Sequence, residues 1–312
     1  MSVFTKVSHS ELEAHLRLYP VGALLGCQGI GEGVENTNYF VDTADGRWVL
    51  TLFERTEASG LPFFLGLMEH LGTRGYPAAL PLRSRDGRLC TELKSRPAAL
   101  VRRLTGNNVL RPTLDQCAAI GMALAELHLE AASFPLTRAN DRGAAWRAAA
   151  GARVLPRLPP AEAQLVADEL AVQAGLEAAA LPQGVIHADL FRDNALFVDQ
   201  RLTGVIDFYY ACVDALAYDL AVAVNDWCAE ADGRLNRTRA QALLDTYRAR
   251  RQPAAAEIAA WPLMLRAAAL RFYLSRACDW YFPRTGDLVH VKDPAPFRRI
   301  LEAHRAQPPP RL

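Results

Sequence analysis

Lysine is almost missing from this chain: of 35 basic side chains only Lys6, Lys94 and Lys292 are lysines, and the rest are arginines. The 34 acidic side chains balance them to a net charge of +1, so there is no field of one sign to attract nucleic acid or an anionic membrane. No window reaches the roughly 18 uninterrupted apolar residues that a membrane span requires. The N-terminus has no basic segment followed by an apolar stretch, so no leader is expected and the chain reads as cytoplasmic. Cys27, Cys90, Cys117, Cys212, Cys228 and Cys278 are scattered without a C-x-x-C pair. That argues against zinc and against a disulfide framework, and leaves reduced, partly buried thiols. No internal repeat with a period of about 20–50 residues is present.

What is there is ordinary globular material, 51% apolar and 22% charged over 312 residues, enough for one large domain or two lobes. Ser8 and Glu11 make a capping box ahead of Leu12 and Leu16, which predicts a short leading helix ended by Pro20. From Leu24 to Phe53 the texture is extended: a strand, then a hairpin with its turn at Asp45-Gly46. Leu61–Leu71 has helical period, and an Asp86-Gly87 turn introduces strands near Leu89–Leu93 and Ala98–Leu104. After Thr105-Gly106 helices dominate. Thr113 and Gln116 cap one helix, residues 134–160 with their prolines read as a looser connection, and an Ala-rich helix follows near 161–179. An extended patch occupies about 185–208, and helices resume from about Ala215 to 282. The expected fold is therefore α+β, with a small antiparallel-sheet lobe over 1–104 and a larger, mainly helical lobe over 105–312. A cleft between lobes is the natural place for a ligand.

The β insertion carries His187-Ala188-Asp189-Leu190-Phe191-Arg192-Asp193-Asn194, followed by Ile206-Asp207-Phe208. An Asp and an Asn five residues apart on a loop, with a second Asp at the end of the next strand, suit phosphoryl transfer. One carboxylate orients an attacking hydroxyl and accepts its proton, while an amide oxygen and the other carboxylate hold Mg2+ on nucleotide phosphates.

The pattern H-x-D-x-x-x-x-N followed by I-D-F resembles the kinase-like phosphotransferase superfamily that includes aminoglycoside phosphotransferases and choline kinases. The resemblance implies a two-lobed protein-kinase-like fold, with Asp189 as catalytic base, Asn194 and Asp207 as magnesium ligands, and His187 supporting the loop. Within that superfamily, several phrases look like the bacterial homoserine kinases: Gly29-Ile30-Gly31-Glu32-Gly33-Val34-Glu35-Asn36-Thr37-Asn38, Val49-Leu50-Thr51-Leu52-Phe53-Glu54, the stretch around His187, and Leu270-Arg271-Phe272. The likeness covers about residues 1–305. It implies transfer of the γ-phosphoryl of ATP to the side-chain hydroxyl of L-homoserine, a step toward threonine.

Gly29, Gly31 and Gly33 allow close backbone approach and offer N–H groups to phosphate oxygens. No G-K-[ST] follows, so this is not a Walker loop. The third strand of the superfamily usually presents a lysine to the α/β-phosphates. Here that register holds Thr51, with Val49 on the same face toward the adenine. Phosphate charge is then expected to fall to Mg2+, the Gly-rich backbone and an arginine, Arg55 being a candidate. Glu69, with no lysine to meet, reads as a solvated helix residue. The resemblance places adenine recognition on backbone groups of Val101, Arg102, Arg103 and Leu104.

An acceptor with an ammonium and a carboxylate calls for an acid or carbonyl and an arginine fork. Asp193, Tyr209, Tyr210 and Asp214 near the motif, and Arg271, Arg276 and Trp280 on the late helix, are the candidates. Asp219 resembles a family position that braces the catalytic loop. The remaining histidines, His128 among them, show no spacing that suggests metal or a nucleophile–base pair. Rival readings are a kinase for choline, a methylthioribose or an aminoglycoside, and a nucleotide-binding scaffold that has lost catalysis. Choline calls for an aromatic cage and an aminoglycoside for an acid-rich cleft. A dead scaffold has no chemical need for Asp189, Asn194 and Asp207 together.

Overall fold

Both capping boxes read from the sequence start helices in the computed structural model, which describes residues 5–31, 36–54, 56, 58–174, 181–283 and 291–312. Ser8 Oγ takes the Glu11 N–H while Glu11 returns to the Ser8 N–H, opening α1 (His9–Leu16). The described residues fall into two compact units. One holds the chain up to Gly106 together with Thr203–Ile206, and the other holds the rest.

The first unit is built on an antiparallel sheet of β1 (Leu24–Gly29), β2 (Thr37–Thr43), β3 (Gly46–Leu52), β4 (Thr91–Leu93) and β5 (Arg96–Arg102), in the order β1-β2-β3-β5-β4. Burial alternates along β2, with Thr37, Tyr39, Val41 and Thr43 inside, as the two-residue side-chain period requires. Leu12 and Leu16 of α1 pack into one cluster with Val41, Leu50, Leu52, Leu93, Ala98 and Leu100. The helix α2 (Leu61–Gly72), with Pro62 in its first turn, buries Leu61, Phe63, Phe64, Leu65, Leu67, Met68 and Leu71.

Two local expectations shift. Thr43 pairs with Gly46, so the β2–β3 turn is Ala44-Asp45, one residue earlier than Asp45-Gly46. Glu69 is not merely solvated, because Arg83 grips it with two hydrogen bonds of 2.6 Å. The β4–β5 hairpin turns on Lys94 and Ser95, both at positive φ (55° and 59°). That geometry suits the twist of a two-residue hairpin but normally selects Asn or Gly.

The second unit is mainly helical. It contains α3 (Leu114–Glu130), α4 (Ala144–Val154), α5 (Pro160–Ala174), β6 (Gln183–Ile186), β7 (Ala195–Val198), β8 (Arg201–Val205), β9 (Cys212–Ala215), α6 (Leu216–Trp227), α7 (Arg237–Arg250), α8 (Ala255–Tyr281) and α9 (Ala295–Ala306). The last residues of β8 already belong to the first unit. The stretch 134–160 is not wholly irregular as expected, since its alanine-rich middle forms α4 between the prolines. β9 was not foreseen either; it pairs antiparallel with β6, Ile186 opposite Cys212. The helices α3 and α7 approach closely at Gly121, where a Cβ would lie 2.0 Å from Leu243 O, so no other residue fits there. Among the described residues no helix is long and apolar enough to cross a membrane.

Candidate active site

β6 delivers His187, Ala188 and Asp189 to the second unit's polar centre, and α6 holds them there. The N–H groups of His187 and Ala188 donate to Asp219 Oδ2 and Oδ1, each at 2.8 Å. Ala188 has φ +63°, a conformation unfavourable for a residue with a Cβ, which this grip over-determines. Further along the loop the N–H and Nε of Arg192 donate to Asp226 Oδ2 at 2.8 and 3.0 Å, and Trp227 Nε1 donates to Leu190 O at 3.0 Å. Asp219, Asp226 and Trp227 stand at i, i+7 and i+8 of α6, which is one face of a helix. One side of α6 therefore grips the loop at three points, while Phe191 packs on Phe272 of α8.

Asp219 is fully buried. Burial works against its charge, yet the hydrogen bond from His128, the nearby His128 and His187 rings and the backbone N–H of His187 hold its carboxyl below the usual range. His128 Nε2 lies 3.1 Å from Asp219 Oδ2, and His128 Nδ1 lies 2.9 Å from Tyr247 Oη. Arg251 donates to that same Tyr247 oxygen at 2.9 Å and pairs with Glu257. With Arg251 donating, the tyrosine hydroxyl gives its own proton to Nδ1, so His128 carries its proton on Nε2 toward Asp219. The sequence showed no partner for His128 because Asp219 lies 91 residues away.

Around Asp189 the loop is drawn tight. Asn194 Nδ2 donates to Asp189 O at 2.8 Å and to Asp189 Oδ2 at 3.2 Å, and the Asp189 N–H meets His187 Nδ1 at 3.3 Å. The His187 ring packs on Phe208, with centroids 4.7 Å apart. On the other carboxylate oxygen, Arg271 Nη1 stands 3.7 Å from Asp189 Oδ1. Burial pushes the Asp189 carboxyl up to about 8. Arg271 pulls it down, Asp207 and Asp193 push it further up, and Lys292 pulls it down again. A carboxyl poised near neutrality and held by several partners is what a proton acceptor needs.

Asp207 follows β8 in a left-handed conformation (φ 63°, ψ 58°) and leads the tight turn Phe208–Tyr210. Because the Asn194 amide nitrogen is spent on Asp189, its Oδ1 is the atom left to act as a ligand. The Asp207 carboxylate, close enough to Asp189 to raise its pKa, is the second oxygen donor that the sequence pattern offers. Among the described residues no group of three or more His, Cys, Asp or Glu forms a metal cage. Two hard oxygen donors fit a divalent cation that completes its shell with water and nucleotide phosphate.

The acceptor candidates divide. Asp193 pairs with Lys292 at 3.1 Å, both half-exposed; Lys292 was not among the sequence candidates. Asp214 Oδ2 accepts from Asn140 at 2.6 Å. Tyr209 and Tyr210 line a cavity of about 70 Å³ with Arg138, Asn140, Asp141 and Arg142, and the Arg271 guanidinium lies 5.1 Å from the Tyr210 ring centroid. Arg276 is committed elsewhere, donating to Asp293 O at 3.1 Å and covering the Phe297 ring at 4.6 Å. Trp280 is 51% exposed, nine residues beyond Arg271 on α8, and is not drawn into this cluster.

On the nucleotide side, Gly29 pairs with Tyr39 at the end of β1, and a Cβ on Gly31 would meet nothing within 4 Å. Gly33 and Arg55 lie outside the described residues. Val49 is half-buried and pairs with Val101. Thr51 is buried, and its hydroxyl donates to Asn38 Oδ1 at 2.7 Å, so its one donor is committed within the sheet. In the connector, the N–H groups of Arg102 and Arg103 donate to Leu80 O and Arg47 O, and the Arg103 guanidinium covers the Phe40 ring. Leu104 follows directly after them.

A family model described as Phosphotransferase enzyme family matches residues 26–254. The homoserine kinase of Methylobacillus flagellatus is 51% identical over 302 residues, covering 97% of this chain and 95% of its own. That of Methylobacillus glycogenes is 48% identical over 301 residues, covering 96% and 95%. Among solved structures, an amicoumacin kinase in complex with AMP-PNP, Ca2+ and Ami superposes with a TM-score of 0.73 at 14% identity, over 97% of this chain and 95% of that one. That likeness carries the fold, which is α+β and protein-kinase-like. With the family pattern running from within β1 to the residue that caps α8, and relatives alike almost from end to end, this chain belongs to the phosphotransferase enzyme family.

Proposed function

We propose that the chain is an ATP-dependent kinase that phosphorylates the hydroxyl of L-homoserine to give O-phospho-L-homoserine, in the cytoplasm and on the route to threonine. The observation that carries this reading is the near-full-length identity, 51% and 48%, to two homoserine kinases. The local geometry agrees with it, since an Asp poised near neutrality is held by an Asn whose remaining oxygen faces away from it.

In this reading Asp189 takes the hydrogen bond of the acceptor hydroxyl, aligns its oxygen with the γ-phosphorus and accepts its proton as the new P–O bond forms. Asn194 keeps the Asp189 carboxylate from rotating, and His187 steadies the backbone beneath it by accepting the Asp189 N–H. Asn194 Oδ1 and Asp207 would hold Mg2+, which supplies positive charge to the phosphate oxygens when bound. Residues 1–104 take the nucleotide. The backbone of Gly29 and Gly31, with Gly33 as the resemblance implies, would offer N–H groups to phosphate, Val49 and Val101 would flank the base, and the backbone from Val101 through Arg102 and Arg103 to Leu104 would follow its edge. Thr51 serves this side by bracing Asn38. Residues 105–312 hold the catalytic loop and the acceptor, with Asp193, Tyr209 and Asp214 near the amino acid.

The test is ADP release by purified protein with L-homoserine, serine, threonine, choline and an aminoglycoside in turn. Acceleration by homoserine alone is expected. Acceleration by choline or the aminoglycoside, with homoserine inert, would overturn the assignment.

A further inference from the structure

Two half-buried arginines of the second unit are held by carboxylates: Arg251 makes two hydrogen bonds to Glu257 at 2.9 and 3.0 Å, and Arg266 makes three to Glu169 between 2.5 and 3.2 Å. Arg271 is placed differently. It is only 4% exposed, yet its guanidinium makes no hydrogen bond to any described residue. Its one ion pair, to Asp189 Oδ1 at 3.7 Å, is too long to be a hydrogen bond. The guanidinium is packed over the rings of Phe272 at 3.8 Å and Tyr210 at 5.1 Å, which fixes its plane without using its five N–H donors. Its nitrogens are not among the sealed, unpartnered polar atoms of the described residues, so these donors remain within reach of an anionic ligand.

We infer that Arg271 is the anchor for the acceptor's α-carboxylate, and so selects an amino acid over an amino alcohol; this rests on the acceptor reading above. The side on which it stands carries the argument. Asn194 approaches Asp189 through Oδ2 and Arg271 approaches through Oδ1. Asn194, which the proposed reading gives to the cation, thus stands at one oxygen of the base, and the guanidinium stands at the other. Tyr210, beneath the guanidinium, also lines the cavity shared with Asn140 and Asp141. An acceptor whose hydroxyl meets Asp189 has its carboxyl carbon four bonds away, so an acceptor folded about its middle bonds presents that carboxyl to the arginine beside the same Asp189 side chain. Two parallel N–H to oxygen bonds would then satisfy the fork.

The experiment compares L-homoserine with 3-amino-1-propanol, which keeps the hydroxyl and ammonium at the same spacing and lacks only the carboxylate. The unaltered enzyme is expected to prefer homoserine by about 100-fold or more in kcat/KM, the usual scale for losing one partner of a buried charge pair. In Arg271→Met that preference should collapse to within a few-fold of unity, mostly through KM for homoserine, while KM for ATP moves less than about threefold. Arg271→Lys should fall between, because it keeps the charge and loses the fork. A preference that survives in Arg271→Met overturns the inference, as does a loss that appears in KM for ATP. Should Arg271→Met fail to fold by circular dichroism, the unaltered enzyme with L-homoserinamide decides: a loss of about 30-fold or more supports the anchor, and equal efficiency overturns it. An enzyme that ignores homoserine but phosphorylates another hydroxy amino acid with the same dependence on Arg271 would refute the acceptor's name and uphold the anchor.

Discussion

Asp219 Oδ1 holds the N–H of Ala188 at 2.8 Å, at a residue whose φ is +63°. The contact joins the first turn of α6 to the residue just before Asp189, across 31 positions of sequence. The loop that carries Asp189 thus owes part of its shape to a fully buried carboxylate on another element.

Replacing that carboxylate leaves two buried N–H groups and the His128 Nε2–H without an acceptor. Asp219→Ala is expected to destabilise the protein by about 3 kcal/mol or more, the range for breaking a buried charged network. Urea unfolding measures this directly. Asp219→Asn, which retains one acceptor oxygen, should lose less stability and still lose turnover. An Asp219→Ala protein as stable as the parent would remove the bracing role.

Asp189→Ala should reduce turnover by about 10²- to 10⁴-fold, the usual contribution of a positioned proton acceptor. MgATP binding, followed calorimetrically, should stay within about threefold, because in the proposed reading Asn194 and Asp207, not Asp189, hold the cation. Turnover at the parent rate would show that another group takes the proton.

Thr51 pairs directly with Asn38 across β2 and β3, and the hydrogen bond between their side chains is half-buried. Thr51→Val keeps the shape and strands Asn38 Oδ1. The expected cost is about 1–2 kcal/mol in stability, with KM for ATP changed by less than about threefold. A tenfold rise in that KM at unchanged stability would mean that the hydroxyl serves phosphate after all.

His304 gives a pH prediction. Its Nε2 lies 2.7 Å from Asn225 Oδ1, and burial, with the Arg266 charge, pushes its pKa down from 6.5 to about 4. The folded protein resists protonating this ring while the unfolded chain does not. The His304 contribution is therefore constant above pH 6.5 and declines as the pH falls toward 4, by up to about 3 kcal/mol. His304→Gln, which can still donate to Asn225, should flatten the denaturant midpoint between pH 7 and 5. Burial also lowers the His15 pKa, so a smaller acid-side slope should persist. An unchanged slope in His304→Gln would assign the acid sensitivity to other groups.

What could be read in advance divides by sequence distance. Asp189, Asn194 and Asp207 lie within one short stretch, and the alternating strands and capping boxes are local patterns, so residues 5–104 were largely legible as elements. α4 was hidden because flanking prolines outweighed its alanines. β9, only four residues with no alternation, exists because β6 pairs with it. The Lys94-Ser95 turn departs from the residues its positive φ values favour. The brace from His128 and the second anchor at Asp226 could not be read, because they meet the loop across 91 and 34 positions. Arg271 could be suspected from composition, but its unspent donors are visible only in three dimensions.

In the proposed reading α6 grips the loop that carries Asp189, while Arg271 comes from α8, which touches that loop through Phe272 on Phe191. Alterations confined to the surroundings of Tyr210 are then expected to retune which hydroxyl compound is accepted while the loop keeps its curvature. A catalyst divided in this way offers engineers an adjustable socket beside a motor that stays as it is.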